Sequence, residues 1–237
     1  MFDDFLAEFW FVFAIPLAII VFFFFAVVGA CLIEKRYVQT FSVPEEGKEY
    51  PLSPTAQQYA KDAAKLQFTH AGLCHHAKSD LYRIRYDFWT SPDLKTLAVI
   101  GSGTLIKIPV KGIWLWSRTT DGRILNSTNE IGEQEISTNV IQQTLPDASF
   151  TTLASSHATW LSQFNVETFT ADSALSVYFD IRRSKVDNLI ERGYAYYIDE
   201  DQSAWKFTLK GALVFYFKAM WIRPISRGLQ SIGIKVG

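Results

Sequence analysis

Residues 81–117 read LYRIRYDFWTSPDLKTLAVIGSGTLIKIPVKGIWLWS. Tyr82, Ile84, Tyr86 and Phe88 alternate with Arg83, Arg85 and Asp87, a period of two that describes a half-buried strand. Ser91-Pro92-Asp93 interrupts the alternation with a turn, because proline presets φ and short polar side chains bond to the local backbone. Apolar runs follow at 97–100, 104–110 and 113–117, and Asp121-Gly122 is a hairpin signal leading into Ile124 and Leu125. Four or five strands this closely spaced predict an antiparallel, meander-like sheet. Pro109 has no N–H for a ladder, so it predicts an edge or a bulge at its own position. Gly101-Ser102-Gly103 lacks the full G-x-G-x-x-G spacing and runs into strand-like residues rather than a helix. A glycine bulge or tight turn is expected there, not a phosphate cradle. Trp114 and Trp116 share a face and are expected in the core.

Helical patterns flank this block. Ser53-Pro54-Thr55 opens a helix through about residue 67, with Tyr59, Ala63 and Leu66 at helical spacing, and Gly72 closes the unit. After a polar stretch at 126–147, residues 148–163 and 174–192 have helical character. Gly193 is a stop, and residues 194–198 and 204–207 pair as a small hairpin around Asp199, Glu200 and Asp201. The fold class is therefore α+β, an antiparallel-sheet domain with flanking helices. The expected organisation is an acidic N-terminus (1–8), a transmembrane helix (9–33) and a linker (34–54). A helix plus sheet (55–147), a helical region with the hairpin (148–207) and a basic aromatic tail helix (208–237) follow.

The membrane assignment rests on residues 9–33, which hold 25 positions without a charged side chain. At ~1.5 Å per residue, a helix of that length exceeds a hydrocarbon core of roughly 30 Å. Phe22, Phe23, Phe24 and Phe25 make its centre lipophilic, and Pro16 is tolerated in such helices. A cleaved signal would need a basic start and a shorter apolar run, whereas this start carries Asp3, Asp4 and Glu8. Val28-Gly29-Ala30-Cys31 offers an alternative, a lipobox-like run in which Cys31 is the lipidation site of a lipoprotein facing outward. Lys35 and Arg36 flank the C-terminal end, so the positive-inside rule expects a single-pass protein of the cell membrane. Its N-terminus is outside and its main domain cytoplasmic. Cys74, read as a free thiol, suits that reducing side.

The whole chain of 237 residues is nearly neutral, with 23 basic and 24 acidic side chains. Its 49% hydrophobic and 15% aromatic content excludes intrinsic disorder, and two cysteines exclude a disulfide scaffold. The balance is uneven, however. Residues 202–237 carry six basic and no acidic side chains, leaving 17 against 24 in the rest, a net of −7. Leu213, Val214, Phe215, Phe217, Met220, Trp221 and Ile222 crowd this basic tail, with Thr208 as N-cap and Pro224 as stop. Aromatic bulk beside cations suits a helix lying on anionic lipid headgroups. Lys206, Lys210, Lys218, Trp221, Arg223 and Arg227 are the expected contacts with the bilayer.

Chemistry-bearing motifs are sparse. His70, Cys74, His75 and His76 supply zinc-ligand types within seven residues. They lack the partner units of established zinc spacings, so a polar loop with a partly buried thiol is the expected reading and zinc the cofactor of the alternative. Ser155, Ser156 and His157 are adjacent, yet there is no G-x-S-x-G elbow and no acid placed to orient the imidazole. No other cofactor is indicated, and the chain reads as non-enzymatic.

Arg182, Arg183 and Lys185, the stop at Gly193, the hairpin, and Thr208-Leu209-Lys210-Gly211 resemble the latter half of a winged-helix domain over about residues 181–216. That resemblance implies a helix in the major groove and a wing on the backbone. Asp199, Glu200 and Asp201 at the would-be wing tip oppose phosphate, so nucleic acid is not the expected partner. Separately, Ser91-Pro92-Asp93, Gly103-Thr104, Ile108-Pro109-Val110, Trp114-Leu115, Asp121-Gly122 and residues 205–213 resemble a family of uncharacterised, membrane-anchored bacterial proteins. No activity comes with that family. The resulting expectation is a non-enzymatic single-pass membrane protein whose cytoplasmic α+β domain serves assembly or scaffolding with a protein partner. The alternative is a membrane-tethered regulator that uses the winged-helix-like segment to bind protein or DNA.

Overall fold

The computed structural model describes residues 2–38, 41–45, 48–79, 82–105, 108–130 and 136–218. In chain order the elements are α1 (Phe2–Ile33), β1 (Arg36–Tyr37), α2 (Pro54–Lys65), β2 (Thr69–Ser79) and β3 (Tyr82–Thr90). Then come β4 (Leu97–Leu105), β5 (Ile108–Arg118), β6 (Ile124–Thr128), β7 (Val140–Thr144) and α3 (Phe150–Leu161). A 3₁₀ turn (Ala171–Ser173) leads into α4 (Ala174–Glu191), followed by β8 (Ala195–Tyr197), β9 (Ala204–Phe207) and α5 (Leu209–Phe217). These elements form two compact units, residues 37–188 and residues 1–36 with 189–237.

The first unit is built on a six-stranded sheet in the order β2-β3-β4-β5-β6-β7. The predicted meander corresponds to β3–β6, each antiparallel to its neighbour, and β2, not expected as a strand, adds a fifth antiparallel strand beside β3. The sheet as a whole is mixed rather than antiparallel, because β7 pairs in parallel with β6, from Ile124↔Val140 to Thr128↔Thr144. A parallel neighbour cannot be reached by a two-residue hairpin turn, and eleven residues separate β6 from β7 in the chain. Val140 is the one well-buried residue of β7, so its sequence carries little strand periodicity.

Both faces of the sheet are covered. On one, α4 lays Ala174, Tyr178 and Ile181 against Phe88, Leu97, Val99, Trp116 and Ile124. On the other, Ala56 and Ala63 of α2 and Phe150 and Leu153 of α3 pack on Ala98, Ile100, Ile113 and Leu115. The helices start where side chains cap them: Ser53 accepts a hydrogen bond from Ala56 N at 3.3 Å, and Ser149 from Thr152 N at 3.2 Å. Asn129 ties the layers together, accepting from Ile113 N at 2.9 Å while its amide donates to Ala148 O at 3.1 Å and Tyr59 Oη at 3.2 Å.

Three local expectations change in the structure. Gly101-Ser102-Gly103 is neither bulge nor turn but the interior of β4, in unbroken register with both neighbours. Gly103 is required by close approach, since a Cβ there would overlap the carbonyl oxygen of Arg83. Pro109 is paired with Thr104 of β4 but lies beyond the stretch of β5 that β6 covers, so its other side is locally an edge, as proline requires. Residues 70–76, expected as a loop, belong to β2, whose alternation decides where the histidines point.

In the second unit, β1, β9 and β8 form a small sheet in that order. The predicted hairpin is present, its turn held by Asp199, which accepts from Ala204 N at 2.9 Å and Ser203 Oγ at 2.9 Å. Thr208 caps α5 as the sequence predicts, accepting from Gly211 N at 3.1 Å. One stripe of α1 is covered within this unit, with Val28 and Cys31 buried and Phe24 edge-on to Tyr216 of α5 at 5.0 Å. The Arg36 guanidinium lies over Trp205, Phe207 and Phe215 at 5.6, 4.8 and 5.7 Å, a cation held in an aromatic cage at the foot of α1.

Because the obstacle beside Gly103 is backbone, Gly103→Ala should destabilise the sheet unit by about 1–3 kcal/mol, the range for overpacking. Thermal unfolding followed by tryptophan fluorescence measures it, and an unchanged midpoint would contradict the β3–β4 register.

Candidate functional site

The face of the sheet beneath α3 carries a buried polar relay. His157, on the inner side of α3, is 1% exposed, and both ring nitrogens are engaged. Nδ1 lies 2.6 Å from Ser127 Oγ on β6, and Nε2 lies 3.0 Å from Ser117 Oγ on β5. The tautomer follows from the outer partners. Ser117 donates its only proton to the Lys95 carbonyl at 2.7 Å, so it must accept from Nε2–H. Gln143 Nε2 donates to Ser127 Oγ at 2.6 Å, leaving the Ser127 hydroxyl proton for Nδ1. Donors and acceptors thus run in one direction from Gln143 to Lys95, and the imidazole is neutral with its proton on Nε2. Burial holds the His157 pKa down to about 3. Among the described residues no acid is bonded to the ring, and Ser117 Oγ points its proton at a carbonyl, so the trio lacks the orientation of a nucleophilic serine.

Beside the relay lies a cavity of about 870 Å³ between α3, the segment after α2 and the β3–β4 turn. His157, Thr96 and Leu115 form buried parts of its lining; Leu66, Phe68, Leu161, Phe164 and Val166 contribute apolar surface. Its size and largely apolar lining are those of a small-molecule site. The β3–β4 turn is rigid: Ser91 Oγ donates to Asp93 at 2.6 Å and accepts from Thr96 N at 2.9 Å, while Lys95 N donates to Asp93 at 3.2 Å. Among the described residues, the Lys95 ammonium has no ion-pair partner. Ser155, singled out with His157 in the sequence, faces the cavity rather than the imidazole relay.

The candidate zinc residues do not converge. Cys74 is buried in the α4-side core, where burial pushes its thiol up to about 12. His75, its neighbour on the strand, points the other way and stacks on Tyr50 at 4.1 Å, with Nε2 accepting from Tyr50 N at 3.2 Å. Burial, and then the nearby Arg85 charge, lower its pKa. His76 meets Phe41 at 5.2 Å, and His70 lies 3.3 Å from Asp87. An extended strand puts His70 and Cys74, one turn apart on a helix, about 13 Å apart at ~3.3 Å per residue, and sends Cys74 and His75 to opposite faces. Among the described residues, no three His, Cys, Asp or Glu side chains are grouped to hold a metal ion.

Asp87 is the charged centre of this edge. Arg85 holds it with Nε and Nη2 at 2.8 Å each, and Arg85 Nη1 reaches Tyr50 O at 2.9 Å. Burial would raise the Asp87 pKa, but hydrogen bonds from His70 and Arg85 outweigh it and hold the carboxyl below its usual range. Pairing on this scale compensates a buried charge.

The helix that the winged-helix resemblance would use for recognition, α4, packs one face on the sheet. Tyr178 and Ile181 of α4 are core residues, and Arg182 lies over Phe41 at 4.8 Å while donating to Val38 O at 3.2 Å. Of the expected membrane contacts, Lys206 is half-buried on β9. Lys210 donates to Arg192 O at 3.0 Å and sits over Tyr194 at 4.8 Å. Lys218 forms the C-cap of α5, and Trp221, Arg223 and Arg227 lie outside the described residues. Cys31, the candidate lipidation site, is a buried residue of α1. Residues 14–33 are long and apolar enough to cross a membrane, with mean hydropathy 2.8.

Comparison with protein-family models, with curated proteins and with solved structures finds no match to this chain in any of the three.

The relay predicts a specific spectrum and a specific acid response. Nitrogen-15 NMR should show His157 as a neutral Nε2–H imidazole that does not titrate between pH 4.5 and 8. The unfolded chain protonates this histidine near 6.5 and the folded chain near 3, so its contribution to stability is full above about pH 6.5. That contribution falls as pH drops toward 3, by at most about 1.4 kcal/mol per pH unit. Replacing His157 with leucine, which leaves Ser117 and Ser127 without their partner, should remove that slope and cost roughly 2–4 kcal/mol in denaturant unfolding. At the sheet edge, Arg85→Met leaves Asp87 uncompensated and should cost about 3–5 kcal/mol at pH 7. That loss should shrink as pH falls and the Asp87 carboxylate of the variant takes up a proton, because without Arg85 burial favours its neutral form.

Proposed function

We propose that this chain is a non-enzymatic, single-pass membrane protein whose sheet unit serves assembly or scaffolding at the cytoplasmic surface. The observation that carries the membrane part is the outer surface of α1. Phe22 is 69% and Phe25 67% exposed, and Ile15, Leu17, Ile19, Ile20 and Val21 are exposed with them. Only 11% of the apolar window is buried, whereas a core helix is covered by its own protein. Water would meet a contiguous apolar surface on such a helix, and lipid removes that cost. Lys35 and Arg36 at the foot of α1 favour the cytoplasmic side for the sheet unit. The aromatic cage does not change the charge of Arg36, so the rule still counts it. Lys206, Lys210, Lys218, Trp221, Arg223 and Arg227 are proposed to meet anionic headgroups, each cation adding about 1 kcal/mol near the surface.

The scaffolding part is supported by the chemistry of the sheet unit. Its buried imidazole is fixed as a neutral structural group, and its buried thiol is held far above neutral pH. The protein partner is not specified by any motif in the chain. A C-terminally tagged protein in bacterial cells tests the topology. It should resist alkaline carbonate extraction, and the tag should be cleaved by protease only after spheroplasts are permeabilised. Phe22→Lys with Phe25→Lys should shift most of the protein to the carbonate supernatant. Digestion of the tag in intact spheroplasts would reverse the orientation and turn attention to Cys31 as a lipidation site.

A further inference from the structure

We propose that the cavity beside His157 binds the acyl chain of a free fatty carboxylate, with the Lys95 ammonium as counter-charge at its mouth. This inference is independent of whether α1 crosses a membrane, because it concerns the sheet unit alone.

Shape comes first. On the α3 side, the cavity is lined at successive turns by Thr151, Ala154, Ala158 and Ser162. These small side chains are spread over about 16 Å of chain at ~1.5 Å per residue, so the lining extends along α3. Phe68, Leu115 and Phe164 add apolar lining from outside this face of α3. A linear aliphatic chain fits a long trough with apolar walls, and its burial releases water from both surfaces. The volume of about 870 Å³ exceeds what one such chain occupies, leaving room for its headgroup.

Charge selects the headgroup. Asp93 and Lys95 are the charged residues of the lining. The Asp93 carboxylate is turned back into its own turn, where it accepts from Ser91 Oγ and Lys95 N. Asp93 keeps its negative charge, but its Oδ1 is committed to that turn; Lys95 has no such engagement among the described residues and supplies the positive charge that can meet an anion. The buried imidazole in the floor is neutral and already bonded on both nitrogens, so it neither competes for the carboxylate nor repels it. An exposed lysine at the mouth of an apolar channel pairs with an anion while the chain is desolvated. The β3–β4 turn that carries Lys95 is held by three hydrogen bonds through Ser91 and Asp93, so the mouth is in place before the ligand arrives.

The test uses the full chain in lipid nanodiscs and a diazirine-bearing tetradecanoic acid as photoprobe, with labelled peptides mapped by mass spectrometry. Labelling is expected in residues 91–96 and 151–166. Excess dodecanoate should suppress it at least fivefold, and dodecanol or dodecylammonium less than twofold. Lys95→Glu should lower the labelling at least fivefold. Ala158→Trp, which fills the channel from an exposed position, should abolish it. Ser155→Trp serves as a second filling variant, and thermal unfolding checks that each variant is folded. Label confined to α1, or undiminished in folded Ala158→Trp and Ser155→Trp, would overturn the site. Equal competition by the acid, the alcohol and the ammonium would overturn the assignment of the headgroup, as would competition by a lysophospholipid alone.

Discussion

Strands β4 and β5 occupy the middle of the sheet without an exposed face along Leu97–Ile100 and Ile113–Trp116. Leu97, Val99 and Trp116 are sealed by α4, while Ala98, Ile100, Ile113 and Leu115 are sealed by α2 and α3. Two faces covered by helices make this a three-layer unit, and each layer has one task it cannot give up. Removing α4 would expose Tyr178's partners, and removing α3 would expose Leu115 and the imidazole relay. The same constraint explains why one face of α4 serves packing, with Ala174, Tyr178 and Ile181 turned to the sheet.

Placing a histidine under α3 has its own consequences. An imidazole removed from water is costly to charge, and this one is kept neutral by burial while its two nitrogens satisfy hydroxyls from β5 and β6. A polar network with every member paired is directional, so it fixes the rotation of α3 over the sheet more narrowly than apolar packing would. The cavity next to it inherits that rigidity. Its floor is set by core residues of the sheet, and its mouth by a turn whose side chains are bonded to one another.

In the second unit, charges that look alike in the sequence have separate structural roles. Arg36 is enclosed by three aromatic rings at the end of α1, and Lys210 caps the carbonyl of Arg192 while covering Tyr194. Both interactions keep a positive charge over aromatic rings, whose faces are electron-rich, and Arg36 also pairs with the Glu34 carboxylate at 2.9 Å. Part of the basic tail therefore holds this unit together, and its net positive charge remains.

The apolar length of α1, the strand alternation at 82–88, the turns at Ser91-Pro92-Asp93 and Asp121-Gly122, and the caps at Ser53 and Thr208 were legible in the chain itself. Each is a local signal: a side-chain period, a preset φ, or a hydroxyl three residues from its N–H. Tertiary structure alone decided the parallel pairing of β7, whose mostly polar residues have no strand period, and the placement of Gly103 against the Arg83 carbonyl. It also decided that His70, Cys74, His75 and His76 part across two faces of β2 instead of meeting. The site was the least legible part. His157 finds its partners 40 and 30 residues away in the chain, and the cavity is assembled from four separated segments. Periodicity reports which residues face inward, but hydrogen bonds and cavities between distant segments depend on how layers stack, and a linear pattern does not encode that stacking.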